Sequence, residues 1–209
     1  MAELFIAVLA SLFSVVNPIG AVPVFLSLTP DYTPAERDKT AIHTSLYFVL
    51  ILLSFFFAGT LILSFFGISI NAMRIAGGLV ILSSGFSLLG GKFESKRGLD
   101  KKVREEALEK EDISFSPMAM PMLSGPGSIS LLIGLFSEHQ AWDARFVVAG
   151  VVVVTGFLVY LVLRASPYLY KLMGEGGLKA VSRIMGFIVM AIGIQTIIMG
   201  IVSLVKSLV

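Results

Sequence analysis

The chain has 209 residues, 56% of them hydrophobic and 14% charged, with no cysteine and a formal net charge of +2. Soluble domains are about 45–50% apolar and about 25% charged, so an ordinary soluble domain is excluded. The small net charge gives no bulk attraction to nucleic acid. The lack of cysteine excludes disulfides, thiolate metal sites and catalytic thiols.

Taken in chain order, stretches free of Asp, Glu, Lys and Arg run from Leu4 to Pro30, Thr40 to Met73, Ile75 to Gly91, Ile113 to Ser137, Phe146 to Leu163 and Ile184 to Val205. Each is in or near the length of about 17–25 residues that a helix needs to cross the hydrocarbon core. The expected fold is therefore an all-α, polytopic membrane protein with six transmembrane helices. Met-Ala-Glu offers no basic leader and the first run is long, so it reads as a retained span rather than a cleaved signal. The second run holds one helix and its exit loop at Gly67 to Asn71.

Residues 1–91 form the first predicted three-helix unit and residues 113–209 the second. Between them, residues 92–112 carry seven basic and seven acidic side chains and read as a charged cytoplasmic linker. If the N-terminus is outside, the inner loops hold Arg37, Lys39, the seven basic residues of the linker, Arg164, Lys171, Lys179 and Arg183. Arg74, Arg145 and Lys206 remain outside. Thirteen cations against three follow the positive-inside rule, which places both termini outside.

The two units match each other. Arg74-Ile75-Ala76-Gly77 and Arg183-Ile184-Met185-Gly186 are 109 positions apart, as are Gly67 and Gly176. Asn17-Pro18-Ile19-Gly20 faces Gly125-Pro126-Gly127-Ser128, with the prolines 108 apart. Three helices per unit invert the second copy, an arrangement that recurs in secondary transporters.

The first predicted span contains Pro18 and Pro23, and the fourth contains Pro117, Pro121 and Pro126. An interior proline removes a backbone hydrogen bond and clashes with the preceding turn. A lone proline is accounted for by a packing kink. Two matched Asn/Gly-Pro elements near mid-depth instead predict paired broken helices, whose free backbone groups must meet protein, water or ligand. Asn17, Pro18, Ile19 and Gly20, with Ser124, Gly125, Pro126, Gly127 and Ser128, are the predicted substrate site. The N-terminus of a half-helix suits a carboxylate, the carbonyls opposite it suit an ammonium or small cation, and a zwitterionic amino acid matches both. Asn17, Ser124 and Ser128 serve equally well as ligand contacts or as repairs to the broken backbone. His43, beside Thr44 and Ser45 at the inner end of the second span, is a candidate proton relay, or an interfacial histidine bonded to backbone. Gln195 is placed to bond across helices. Gly78 and Gly85, and Gly186, Gly193 and Gly200, recur at seven-residue steps suited to close helix packing.

No Asp or Glu lies within a predicted span. That argues against carboxylate-based proton coupling and against a metal-dependent intramembrane enzyme. No His-Glu-x-x-His or Gly-x-Ser-x-Gly motif appears. The chain is expected to be no enzyme and to need no cofactor or metal.

The run Asn17-Pro18-Ile19-Gly20-Ala21-Val22-Pro23-Val24-Phe25-Leu26 resembles the signature of the MarC family of membrane proteins, which includes SnatA-type amino-acid transporters. Pro117-Met118-Ala119-Met120-Pro121, Ser124-Gly125-Pro126-Gly127 and Arg183-Ile184-Met185-Gly186-Phe187 extend that resemblance over nearly the whole chain. It implies six helices in the inner membrane of a bacterium or archaeon and, for some members, transport of small neutral amino acids such as glycine or alanine. The expected function is secondary transport by alternating access around the two breaks. Expected partners are the lipid bilayer, an amino acid, and sodium or protons as coupling ion. A channel for a small solute and an intramembrane lipid-processing enzyme are the alternatives. Direction of transport and oligomeric state are left open.

Overall fold

The computed structural model describes residues 1–90 and 112–206. The predicted linker, apart from Asp112, lies outside the described residues. Every element among the described residues is helical: α1 (Ala2–Val16), α2 (Pro18–Leu28), α3 (Pro34–Phe65), α4 (Ile70–Leu89), an irregular π-helical segment (Ser114–Leu123), α5 (Pro126–Glu138), α6 (Trp142–Arg164) and α7 (Ser166–Lys206). Five units are long and apolar enough to cross a bilayer, α1 and α2 together forming one of 27 residues. The Ser114–Leu123 segment and α5 supply a sixth if taken as one span, bent by 63°.

Local chemistry sets the helix ends. Thr33 and Glu36 cap α3 reciprocally: the Thr33 N–H donates to Glu36 Oε2 at 2.8 Å, and the Glu36 N–H donates to Thr33 Oγ1 at 3.3 Å. Pro34 takes the first helical position, where a missing N–H is harmless. Gly67, at φ +66°, turns the chain between α3 and α4. Its counterpart in the second unit is Gly174, at φ +65°, rather than the predicted Gly176. A left-handed residue is needed at one point of the α7 kink, and Gly176 lies in regular helix beyond it. The helix holding Arg183 thus begins well upstream, and Arg183 does not open it.

The core forms where helices meet closely. Phe25, Phe48, Leu52, Phe56 and Ile81 are fully buried. Outward-facing residues such as Leu61, Phe65, Phe146 and Phe187 are exposed, the pattern of a bundle whose solvent is lipid. α4 and the long arm of α7 run antiparallel and cross on glycine. A Cβ on Gly78 would fall 2.8 Å from the Gly193 carbonyl oxygen, and one on Gly85 2.8 Å from that of Gly186. The predicted packing role of these residues holds. α3 and α6 meet at Gly156, whose carbonyl accepts the Ser45 hydroxyl at 2.7 Å.

Candidate functional site

The chain leaves α1 at Asn17, which sits in the left-handed region at φ 47°, ψ 62°. Pro18 starts α2, and the Asn17 side chain turns back so that Oδ1 accepts the Gly20 N–H at 3.3 Å. Pro23 lies inside α2 without ending it. The first break is therefore a single residue in an otherwise continuous span. The second is wider. Ser116 and Met120 leave helical dihedrals, as residues before proline tend to do, and both peptide bonds to Pro117 and Pro121 are cis. Ser124 and Gly125 then form the gap before Pro126 starts α5. No side chain caps the α5 N-terminus. The Ser128 hydroxyl donates to the Gly125 carbonyl at 2.9 Å and so repairs local backbone.

The two breaks are neighbours. Val15, two residues before Asn17, has its Cγ1 3.6 Å from where a Cβ on Gly127 would sit, with Ile81 of α4 at 3.1 Å. Leu4 near the start of α1 and Glu138 at the end of α5 line one cavity, so they share a face of the bundle. α2 runs away from that face and α5 runs toward it. Their N-termini therefore approach each other head to head in the interior. Each end carries about half a positive charge. At the first break the α1 C-terminus, with about half a negative charge, lies beside the α2 N-terminus, whereas the α5 N-terminus has no side-chain cap. The far, C-terminal ends of α2 and α5 are met by cations: the Arg37 guanidinium donates to the Thr29 carbonyl at 2.6 Å, and that of Arg145 to the His139 carbonyl at 2.9 Å.

Of the predicted residues, Asn17, Ser124 and Ser128 are buried to within 1% exposure. Asn17 Nδ2 and Ser124 Oγ have no hydrogen-bond partner. A Cβ added to Gly20 would strike Asn17 Nδ2 and come within 3.1 Å of Ser182 Oγ. Ser182 of α7 thus joins the first break, a residue that no sequence motif marked. His43 lies elsewhere. It is half-buried on α3, with its ring 6.5 Å from that of Tyr47. Around it, burial pushes the Asp112 carboxyl up, but hydrogen bonds from Ser114 and the charges of His43 and Lys39 outweigh that and hold it below its ordinary value. The Tyr32 phenol beside them is raised by burial and by the negative charges of Asp112 and Glu36.

The cavity between α1, α4, α5 and α7 has a volume of about 320 Å³ and opens beside the breaks rather than at them. Ser11, Ser130, Gln195, Arg74 and Glu138 give it a polar side. Gln195, expected to bond across helices, faces this space.

A family model described as MarC family integral membrane protein matches residues 2–205. A membrane protein of Buchnera aphidicola subsp. Acyrthosiphon pisum (strain APS) is 37% identical over 206 residues, covering 99% of this chain and 95% of the relative. One from Methanocaldococcus jannaschii is 38% identical over 199 residues, covering 95% and 96%. The inner membrane protein MarC of Escherichia coli O1:K1 / APEC is 36% identical over 222 residues, covering 99% of each. No solved structure matches the chain.

Proposed function

The chain belongs to the MarC family of integral membrane proteins, and we propose that it is a secondary transporter of small neutral amino acids. The observation that carries this reading is the pair of buried helix N-termini at Asn17-Pro18 and Gly125-Pro126, each beside a buried polar atom with no partner. A solute carboxylate would meet the free N–H groups and the two positive helix ends. Asn17 Nδ2 and Ser124 Oγ would find in it the partners they lack. Backbone recognition of this kind needs no intramembrane acidic residue.

Six spans in two inverted three-helix repeats, with both termini outside, complete the proposal. Several pairings support the repeat. Pro18 and Pro126 are 108 positions apart, as are the capping residues Arg37 and Arg145. Gly67 and Gly174, the two glycines at positive φ, are 107 apart. Gly78 meets Gly193 and Gly85 meets Gly186. Shifting either pair by 108 exchanges it for the other, as a two-fold axis between the units requires. Alternating access would rock one repeat against the other around the breaks. Asn17 and Ser124 are buried, while the cavity is lined by Leu4 near the start of α1 and Glu138 at the end of α5. Sodium or protons remain the proposed coupling ions.

Uptake of radiolabelled glycine and alanine into proteoliposomes, with and without proton and sodium gradients, tests the reading. Saturable, gradient-driven accumulation that unlabelled neutral amino acids compete away is expected. Flux that neither saturates nor accumulates would identify a channel, and no uptake under any gradient would refute amino-acid transport.

A further inference from the structure

Arg74 is a charged side chain only 12% exposed, held at the edge of the 320 Å³ cavity. Its Nη2 donates to the Gly134 carbonyl at 3.2 Å and lies 3.6 Å from Glu138 Oε2. The second distance exceeds the roughly 2.7–2.9 Å of a charge-assisted hydrogen bond. A guanidinium has five N–H donors, and neither Nε nor Nη1 of Arg74 bonds any described residue. Glu138 is 41% exposed and is paired ionically with Arg74. The pair is thus loosely closed, with unused hydrogen-bonding capacity on both sides.

We propose that the Arg74–Glu138 pair is an entrance subsite for a zwitterion, Arg74 receiving its carboxylate and Glu138 its ammonium group. A simple anion would satisfy Arg74 and strand Glu138. A simple cation would do the reverse. Leaving a partly buried charge unpaired is expensive. A zwitterion inserts between the two and pairs both, so the charge in the cavity is unchanged. The volume is near the lower end for ligand pockets, which suits a small solute. From the subsite the way inward runs past Ser11, six residues before Asn17 on α1, and Ser130, three residues after Gly127 on α5. The role as an entrance rests on the transport reading. The binding itself does not.

The chain has no cysteine, so Ser11→Cys places a single thiol in the cavity of the full-length protein. Its rate of modification by a membrane-impermeant thiol reagent is measured in proteoliposomes with alanine, propionate or ethylamine present, alongside alanine uptake. Alanine is expected to slow labelling while propionate and ethylamine at equal concentration do not. Adding Glu138→Gln should raise the half-protecting alanine concentration about tenfold or more, the loss of one charge-assisted contact. Arg74→Gln should act likewise, and the Glu138 variant carries the test if the Arg74 variant does not fold. Equal protection by propionate, or unchanged alanine protection in Glu138→Gln, overturns the zwitterion subsite. Uptake without protection sinks the subsite alone, whereas protection without uptake sinks the transport reading alone.

Discussion

Asn17 allows backbone strain and ligand contact to be separated by substitution. It occupies the left-handed region at φ 47°, ψ 62°, and its Oδ1 caps the Gly20 N–H. An ordinary residue pays about 1–2 kcal/mol in that region, and asparagine is among the few that visit it routinely. Loss of an N-cap to alanine costs about 1 kcal/mol. Asn17→Ala should therefore lose about 2–3 kcal/mol of stability, the sum of strain and cap. Asn17→Gly relieves the strain and is itself a tolerable N-cap, so it should lose only a few tenths, about 0.3 kcal/mol. Both remove Nδ2, the buried donor with no partner. A hydrogen bond to a charged group is worth about 1.5–3 kcal/mol, so the KM for alanine should rise about tenfold to a hundredfold in the glycine variant, whose fold is nearly intact. Unfolding of the purified protein in mixed micelles gives the first quantity and proteoliposome uptake the second. Equal destabilisation by alanine and glycine would refute the left-handed cap argument. A wild-type KM in Asn17→Gly would refute the amide as a solute ligand.

A Cβ on Gly193 would fall 2.7 Å from the Leu82 backbone nitrogen and 2.9 Å from the Gly78 carbonyl oxygen, and backbone cannot yield as a side chain can. Gly193→Ala should lose about 1–3 kcal/mol, whereas Gly150→Ala, with nothing within 4 Å, should gain up to about 1 kcal/mol from helix propensity. The same unfolding assay compares them. Ser45→Ala removes the hydroxyl that ties α3 to the Gly156 carbonyl of α6 and should lose about 1 kcal/mol. Because the folded state holds the Asp112 carboxyl below its ordinary value, its contribution is present above the unfolded pKa and fades as pH falls through the folded one. Asp112→Asn should remove that part of the acid-side loss of stability, measured as unfolding midpoint against pH.

The spans were legible because lipid imposes a one-dimensional rule: roughly 20 residues without charge. That rule marked the five long apolar units and the bent pair of Ser114–Leu123 with α5, but not their ends. α7 begins at Ser166, far upstream of the charge-free run at Ile184, because Lys171, Glu175, Lys179 and Arg183 are compatible with helix where it leaves the apolar layer. The breaks at Pro18 and Pro126 were legible from proline chemistry, which acts on immediate neighbours. The choice of Gly174 over Gly176 was not, since both are glycines near one bend and only the tertiary path decides which of them takes positive φ.

The site divides along the same line. Asn17, Gly20, Ser124 and Gly127 belong to short motifs and could be named in advance. Ser182 reaches Gly20, and Glu138 reaches Arg74, only through the packing of α7 and α5 against the first unit. Neither side chain stands in a motif, and Arg74 and Glu138 are 64 residues apart in sequence. Together these parts answer a difficulty raised by composition. The predicted spans hold no Asp or Glu, yet two helix N-termini lie in the interior, and Arg74 stands toward the far, C-terminal end of α5 with a loosely held counterion. The α1 C-terminus offsets the α2 N-terminus, but the α5 N-terminus has no side-chain cap, and Asn17 Nδ2 and Ser124 Oγ have no partner. In the proposed reading, a solute carboxylate takes up those unused groups, and the ammonium it carries leaves the charge of the bundle unchanged as it passes from Arg74 and Glu138 toward the breaks.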